Sequence, residues 1–191
     1  MSWVAAVAAL AGIALGLWVP GGAVPVDHGG PLLEIMVQPT EPYVLLPAIA
    51  LMTAWCAGKR RWHGLVLCLA GSLVPVALNT WVLKPLFDRP LHDYLAYPSG
   101  HTVSLVAVLT VLVLLAKRVL AAVLAVVVTV IAGTGLVGLG YHYPVDVAGG
   151  TCFAVALVLT IALVLRLVPV PSGGSPRGDT SSGSPPAASP R

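Results

Sequence analysis

Residues 96–116 read AYPSGHTVSLVAVLTVLVLLA. From Thr102 to Ala116 this stretch runs fifteen residues without a charge, the core of a helix sized for a bilayer. At its head stand Pro98, Ser99, Gly100 and His101. A helix start needs a cap, and Ser99 after Pro98 supplies one. Capping accounts for the serine but leaves the glycine and the histidine unexplained.

The rest of the chain repeats the apolar theme. Its 191 residues are 58% hydrophobic and 9% charged, with a mean hydropathy of +0.94. A water-soluble domain carries roughly 25% charged residues. The apolar blocks reach the 17–25 or so residues that a membrane-spanning helix takes, and short alternating segments typical of a β-barrel are absent. The expected fold is therefore all-α: a polytopic membrane protein, a six-transmembrane-helix bundle with spans at 3–19, 43–58, 63–83, 99–116, 118–139 and 144–167. No Lys or Arg precedes the first apolar run and five more spans follow, so that run reads as a retained helix rather than a cleaved signal peptide.

Residues 1–170 read as one membrane domain. Residues 171–191, PSGGSPRGDTSSGSPPAASPR, lack a hydrophobic period and read as a disordered cytoplasmic tail. The segment 21–42, containing PLLEIMVQ, reads as a plain connecting loop, with an interfacial segment as the alternative. Cys56, Cys68 and Cys152 fall inside spans, without a CxxC pair, and read as small packing residues.

Charge sets the expected orientation. With six spans, Lys59, Arg60, Arg61, Lys117, Arg118, Arg166, Arg177 and Arg191 share the side of both termini, eight of ten basic residues. The positive-inside rule makes that side cytoplasmic. Lys84 and Arg89 stand apart on the other face, in the loop that leads to Pro98, with His92 between them and the helix start. The next loop on that face, GLGYHYPVD, adds His142 and Asp146. The reactive side chains thus gather at one end of the helices.

Their types suggest anion chemistry. A helix N-terminus offers unpaired N–H groups and partial positive charge, and Gly100 lets a ligand come close to the backbone there. Lys84 and Arg89 add full charges, although two cations near a membrane face can also simply snorkel to headgroups. His142 and Asp146 lie four apart at a helix start. Asp146 can cap that helix, or it can fix the tautomer of His142 and free the other nitrogen as a nucleophile. His101 would then protonate the departing oxygen. Together these groups make a set for phosphoryl transfer without an evident carboxylate cluster for Mg²⁺.

On these residues the chain resembles the type 2 phosphatidic acid phosphatase family, membrane lipid phosphate phosphatases related to vanadium haloperoxidases. The family's Pro-Ser-Gly-His motif is complete at Pro98–His101, and the His-xxx-Asp end of its third motif is His142-Tyr-Pro-Val-Asp146. The likeness spans about residues 40–168. It implies that His142 is the nucleophile that forms a phosphohistidine, that Asp146 orients it, and that His101 is the general acid. It also implies that Lys84, Arg89, Ser99 and Gly100 hold the phosphate, with no metal and no cofactor.

Two features depart from the family pattern. Arg89-Pro90 comes two residues early, closer to the Lys-Pro-xxx-Arg form of short bacterial members. The third-motif Ser-Arg falls on Gly135-Leu136, so one phosphate-binding arginine is missing, with His92 as a candidate substitute. The resemblance also implies a lipid phosphate substrate in a bacterial inner (plasma) membrane, with membrane lipids and no nucleic acid as partners. The Ala/Val/Leu/Gly-rich usage suits a high-GC bacterium, and short actinobacterial members are tied to cell-wall polyprenyl-phosphate metabolism. Competing readings are a degenerate relative that binds or transfers lipid phosphates, and an intramembrane protease using Ser99 and His142.

Overall fold

A computed structural model of the chain describes residues 1–18, 28–91 and 93–167. His92, Asp27 and the tail 171–191 lie outside the described residues. In chain order the elements are α1 (Ser2–Leu17), α2 (Pro31–Val37), α3 (Pro42–Gly58), α4 (Trp62–Leu78) and α5 (Lys84–Phe87), followed by the two-residue strands β1 (Pro90–Leu91) and β2 (Tyr94–Leu95). The long helices α6 (Gly100–Ala116), α7 (Val119–Gly138) and α8 (Pro144–Leu167) complete the fold.

The six expected spans correspond to α1, α3, α4, α6, α7 and α8. Segments Pro31–Gly58, Trp62–Phe87, Val119–Gly138 and Pro144–Leu167 are each long and apolar enough to cross a membrane. Helices α1 and α6 are shorter, at 16 and 17 residues. Lipid offers no hydrogen bonds, so a spanning chain satisfies its backbone internally, as helix. The outer surface suits that solvent: Trp81 is 77% exposed and Val119 81%.

Helix α8 is the centre of the bundle, packed against α1, α4 and α6. Its inward face joins Val103, Ala107 and Val111 of α6 and the buried Cys56 and Cys68 through Ala154, Val158 and Ala162. Without a hydrophobic drive between helices in lipid, small residues bring backbones together. On α1, Gly12 and Gly16 are spaced four apart and meet the rings of Phe153, and of Phe87 and Tyr97.

Two segments differ from expectation. The span expected to end at residue 83 continues further: α4 leads through a π-helical turn, Asn79–Leu83, into α5. Pro75, buried inside α4, cannot donate to the helix ladder, and the irregular turn follows it. The stretch expected as a plain loop contains α2, which lies against the end of α7. Leu33, Met36 and Val37 fill the space beside Gly135 and Gly138. Seven residues are too few for a stable isolated helix, so this packing holds it.

Candidate active site

The hairpin β1–β2 and the loop after it carry the chain from α5 to α6 across one end of the bundle, with Pro90 opposite Leu95 and Leu91 opposite Tyr94. Ser99 is the N-cap of α6: its hydroxyl, fully buried, accepts from Thr102 N–H at 3.3 Å and from Thr102 Oγ1 at 3.0 Å. That leaves the serine's own O–H as a donor. The Ser99 N–H donates to the Asp146 carbonyl at 3.1 Å, which ties the head of α6 to the first turn of α8. The first N–H groups of α6 have no acceptor within the helix. A Cβ at Gly100 would meet only Asn79 Nδ2 at 3.8 Å and Lys84 Cε at 4.0 Å, so the Lys84 stem lies beside this terminus. Lys84 spends one of its three donors on the Leu95 carbonyl, at 2.7 Å.

His142 sits in the turn between α7 and α8, where Gly140 takes φ +73° and the Tyr141 N–H returns to the Leu136 carbonyl. Its ring stands edge-on to that of His101, with centroids 6.1 Å apart, close enough for one phosphoryl group to touch both. His101 is exposed and His142 buried. Tyr94 packs edge-on against His142, centroid to centroid 6.0 Å.

Asp146 is fully buried and divides its bonds. Oδ2 accepts from the Tyr143 N–H at 2.9 Å, the reach-back of a capping box at the start of α8. The same oxygen lies 3.8 Å from His142 Nδ1, an ion-pair distance longer than a hydrogen bond. Oδ1 pairs with Arg89 Nη1 at 3.3 Å. Asp146 thus performs the capping role and also stands beneath His142.

Arg89 reaches the site in an unexpected way. Its Nη2 donates to the carbonyls of Gly16 at 3.0 Å and Trp18 at 2.9 Å, and its guanidinium lies over the Tyr97 ring at 4.8 Å. Helix α1 has no basic residue in its last turn, and Arg89 supplies the cation that its C-terminal carbonyls favour. In this arrangement Arg89 clamps Asp146 and α1 rather than standing open to an anion.

Sequence reasoning missed three neighbours. Tyr97, fully buried, donates its hydroxyl to the Gly12 carbonyl and supports Arg89 from below. Burial pushes the Tyr97 phenol up despite Arg89, and burial with Asp146 and Tyr141 pushes up Tyr94. Both phenols therefore stay protonated donors. Asn79 donates to the Pro98 carbonyl at 3.4 Å while its Oδ1 is buried without a partner among the described residues. A polar residue inside an apolar span was the available signal for Asn79.

Leu136, at the position of the missing arginine, is fully buried with Val37 and Leu139 beneath α2. Among the described residues, no group of three or more His, Cys, Asp or Glu is placed to hold a metal ion.

The sequence matches the PAP2 superfamily over residues 6–168. This chain belongs to the PAP2 superfamily. No curated protein sequence matches it. A solved structure similar to this PAP2 chain is the "Crystal structure of the first transmembrane PAP2 type phosphatidylglycerolphosphate phosphatase from Bacillus subtilis". That likeness covers 88% of this chain and 89% of that one, at 22% identity and a TM-score of 0.60, and shows a shared fold.

Packing is tight where α8 meets the loop before α6. A methyl at Gly149 of α8 would overlap the Tyr97 ring that carries Arg89. Gly149→Ala is expected to cost about 1–3 kcal/mol through overpacking. A lowered midpoint in thermal unfolding of the detergent-solubilised protein checks it.

Proposed function

We propose that this chain is an integral membrane lipid phosphate phosphatase that works through a phosphohistidine on His142. The observation that carries the reading is the neighbouring pair His142 and His101, at the heads of α8 and α6, with Asp146 fixed beneath His142 and the Lys84 stem beside Gly100. His142 attacks phosphorus through Nε2 while Asp146 receives Nδ1–H, a contact that tightens from 3.8 Å when substrate fills the site. His101 protonates the departing oxygen and then activates the water that releases phosphate. Lys84, the Ser99 hydroxyl and the Gly100 N–H hold the phosphate oxygens. Arg89 joins them only by giving up the α1 carbonyls.

A lipid substrate suits the surroundings. An apolar crevice of about 880 Å³ between α6, α7 and α8 runs from Val113 and Ala122 up to Pro144, two residues from His142. It has room for a hydrocarbon tail whose headgroup lies at the histidines. The charge asymmetry supports both termini cytoplasmic and the site facing outward. A polyprenyl phosphate or pyrophosphate is the favoured substrate, from the family's short bacterial members.

The test is phosphate release by the purified protein, in detergent with EDTA, from a panel of lipid phosphates. Release from at least one lipid, lost in His142→Ala, is the expected result. The pH profile adds a second check. His142 attacks as the neutral ring, so the rate falls on the acid side; His101 donates as the charged ring, so it falls on the alkaline side. A single maximum is expected, and a rate flat from about pH 5 to 9 contradicts the assignment.

A second reading, a binder or carrier of lipid phosphates, is favoured by the buried Leu136 and the engaged Arg89. Losing one charge-assisted phosphate contact costs about 1.5–3 kcal/mol. Binding of the panel lipids with no release from any of them would establish it.

A further inference from the structure

The end of the bundle opposite the histidines holds a second concavity that the phosphatase reading does not use. Its volume is about 980 Å³. The turn between α3 and α4 brings Arg60 and Arg61 to its rim, the turn between α6 and α7 brings Lys117, and the last turn of α8 brings Arg166. Trp55 and Trp62 flank them, with the Arg61 guanidinium over the Trp55 ring at 4.8 Å. Among the described residues no acid lines the cavity. Glu34, Glu41, Asp88, Asp93 and Asp146 all stand toward the other end of the helices. Below the cations the wall is apolar, formed by side chains such as Leu67, Leu115 and Leu165.

We propose that this pocket is a binding site for an anionic phospholipid, whose phosphodiester sits among Arg60, Arg61, Lys117 and Arg166 and whose acyl chain lies on the leucine floor. Orientation by the positive-inside rule requires cations on this face, but it does not require them to ring a hollow. Guanidinium groups match phosphate oxygens in pairs, and interfacial tryptophans sit at headgroup depth. Basic pockets between spans on this side are suited to acidic headgroups. A free phosphate would find the charges but leave the apolar floor unfilled. The proposal stands independently of the chemistry at His142.

Native mass spectrometry of the delipidated full chain, titrated with phosphatidylglycerol, phosphatidylcholine or inorganic phosphate, tests it. The expected result is one retained phosphatidylglycerol, weaker phosphatidylcholine binding and no retained phosphate. The triple variant Arg60→Gln/Arg61→Gln/Arg166→Gln should weaken phosphatidylglycerol binding by about a hundredfold, from roughly a factor of five per cation. It should keep the thermal melting midpoint of the parent in neutral detergent, which shows that it folds. The charge-retaining triple Lys variant should keep a preference for phosphatidylglycerol over phosphatidylcholine. Equal retention of the two lipids overturns the proposal. So does phosphatidylglycerol binding that survives the Gln changes, or that disappears in Lys84→Gln instead. Retention of inorganic phosphate as strongly as the lipid would make this an anion site rather than a lipid site.

Discussion

His142→Ala is expected to lower phosphate release by about 10⁴-fold or more, to the level of the protein-free control. The loss is large because no neighbour can replace the nucleophile. His101 faces the same space, but it is fully committed as the acid for the departing oxygen. Tyr94 is the other ring beside His142, and its phenol is pushed up by burial, so it is a poor nucleophile. The buried ring leaves a cavity beside Tyr94, so the melting midpoint should drop modestly. The check is initial-rate measurement beside a thermal melt of the same preparation. A variant that still melts cooperatively, with the rate abolished at a temperature well below its midpoint, assigns the effect to chemistry.

Arg89→Ala should produce the second largest effect, and of a different kind. Removing the guanidinium leaves Asp146 fully buried without its partner and uncaps the Gly16 and Trp18 carbonyls at the end of α1. Breaking a buried pair from one side costs about 3–5 kcal/mol. Both melting midpoint and rate should fall, the rate because Asp146 no longer holds its place beneath His142. Asp146→Asn added to Arg89→Ala should recover part of the midpoint and none of the rate, since the uncompensated charge is gone but the orienting carboxylate is too. A residue that merely held phosphate would behave otherwise: its loss would raise KM and leave the melt unchanged.

The contrast between these residues shows what a sequence conveys. The six helices were legible because the bilayer imposes a length and a hydropathy on each, and every helix must satisfy its own backbone. Ser99, Gly100, His101, His142 and Asp146 could be singled out because polar residues are conspicuous in so apolar a chain, and the structure gathers them at the heads of α6 and α8. The clamp on Arg89 was not legible. Its partners on α1 lie 71 and 73 positions away, and they are backbone carbonyls that no residue type announces. Helix α2 was missed for a related reason. Its seven residues carry little helical signal alone, and what holds them is a surface on α7 made by Gly135 and Gly138. That same contact buries Leu136, so the missing arginine and the unforeseen helix are one feature of the packing. The extension of the third span past residue 83 was hidden by Lys84-Pro85, which reads as a stop but here continues from a π turn.

The most direct test of the account is to trap the covalent intermediate. Protein mixed with a hydrolysed lipid phosphate, quenched in alkali within the first turnover and digested, should give one peptide heavier by a phosphoryl group, with the modification on His142. The adduct should be stable in base and released in acid, as a phosphoramidate is, and Asp146→Asn should lower its amount. Phosphate release with no such adduct, or with the phosphoryl group on another residue, would contradict the account.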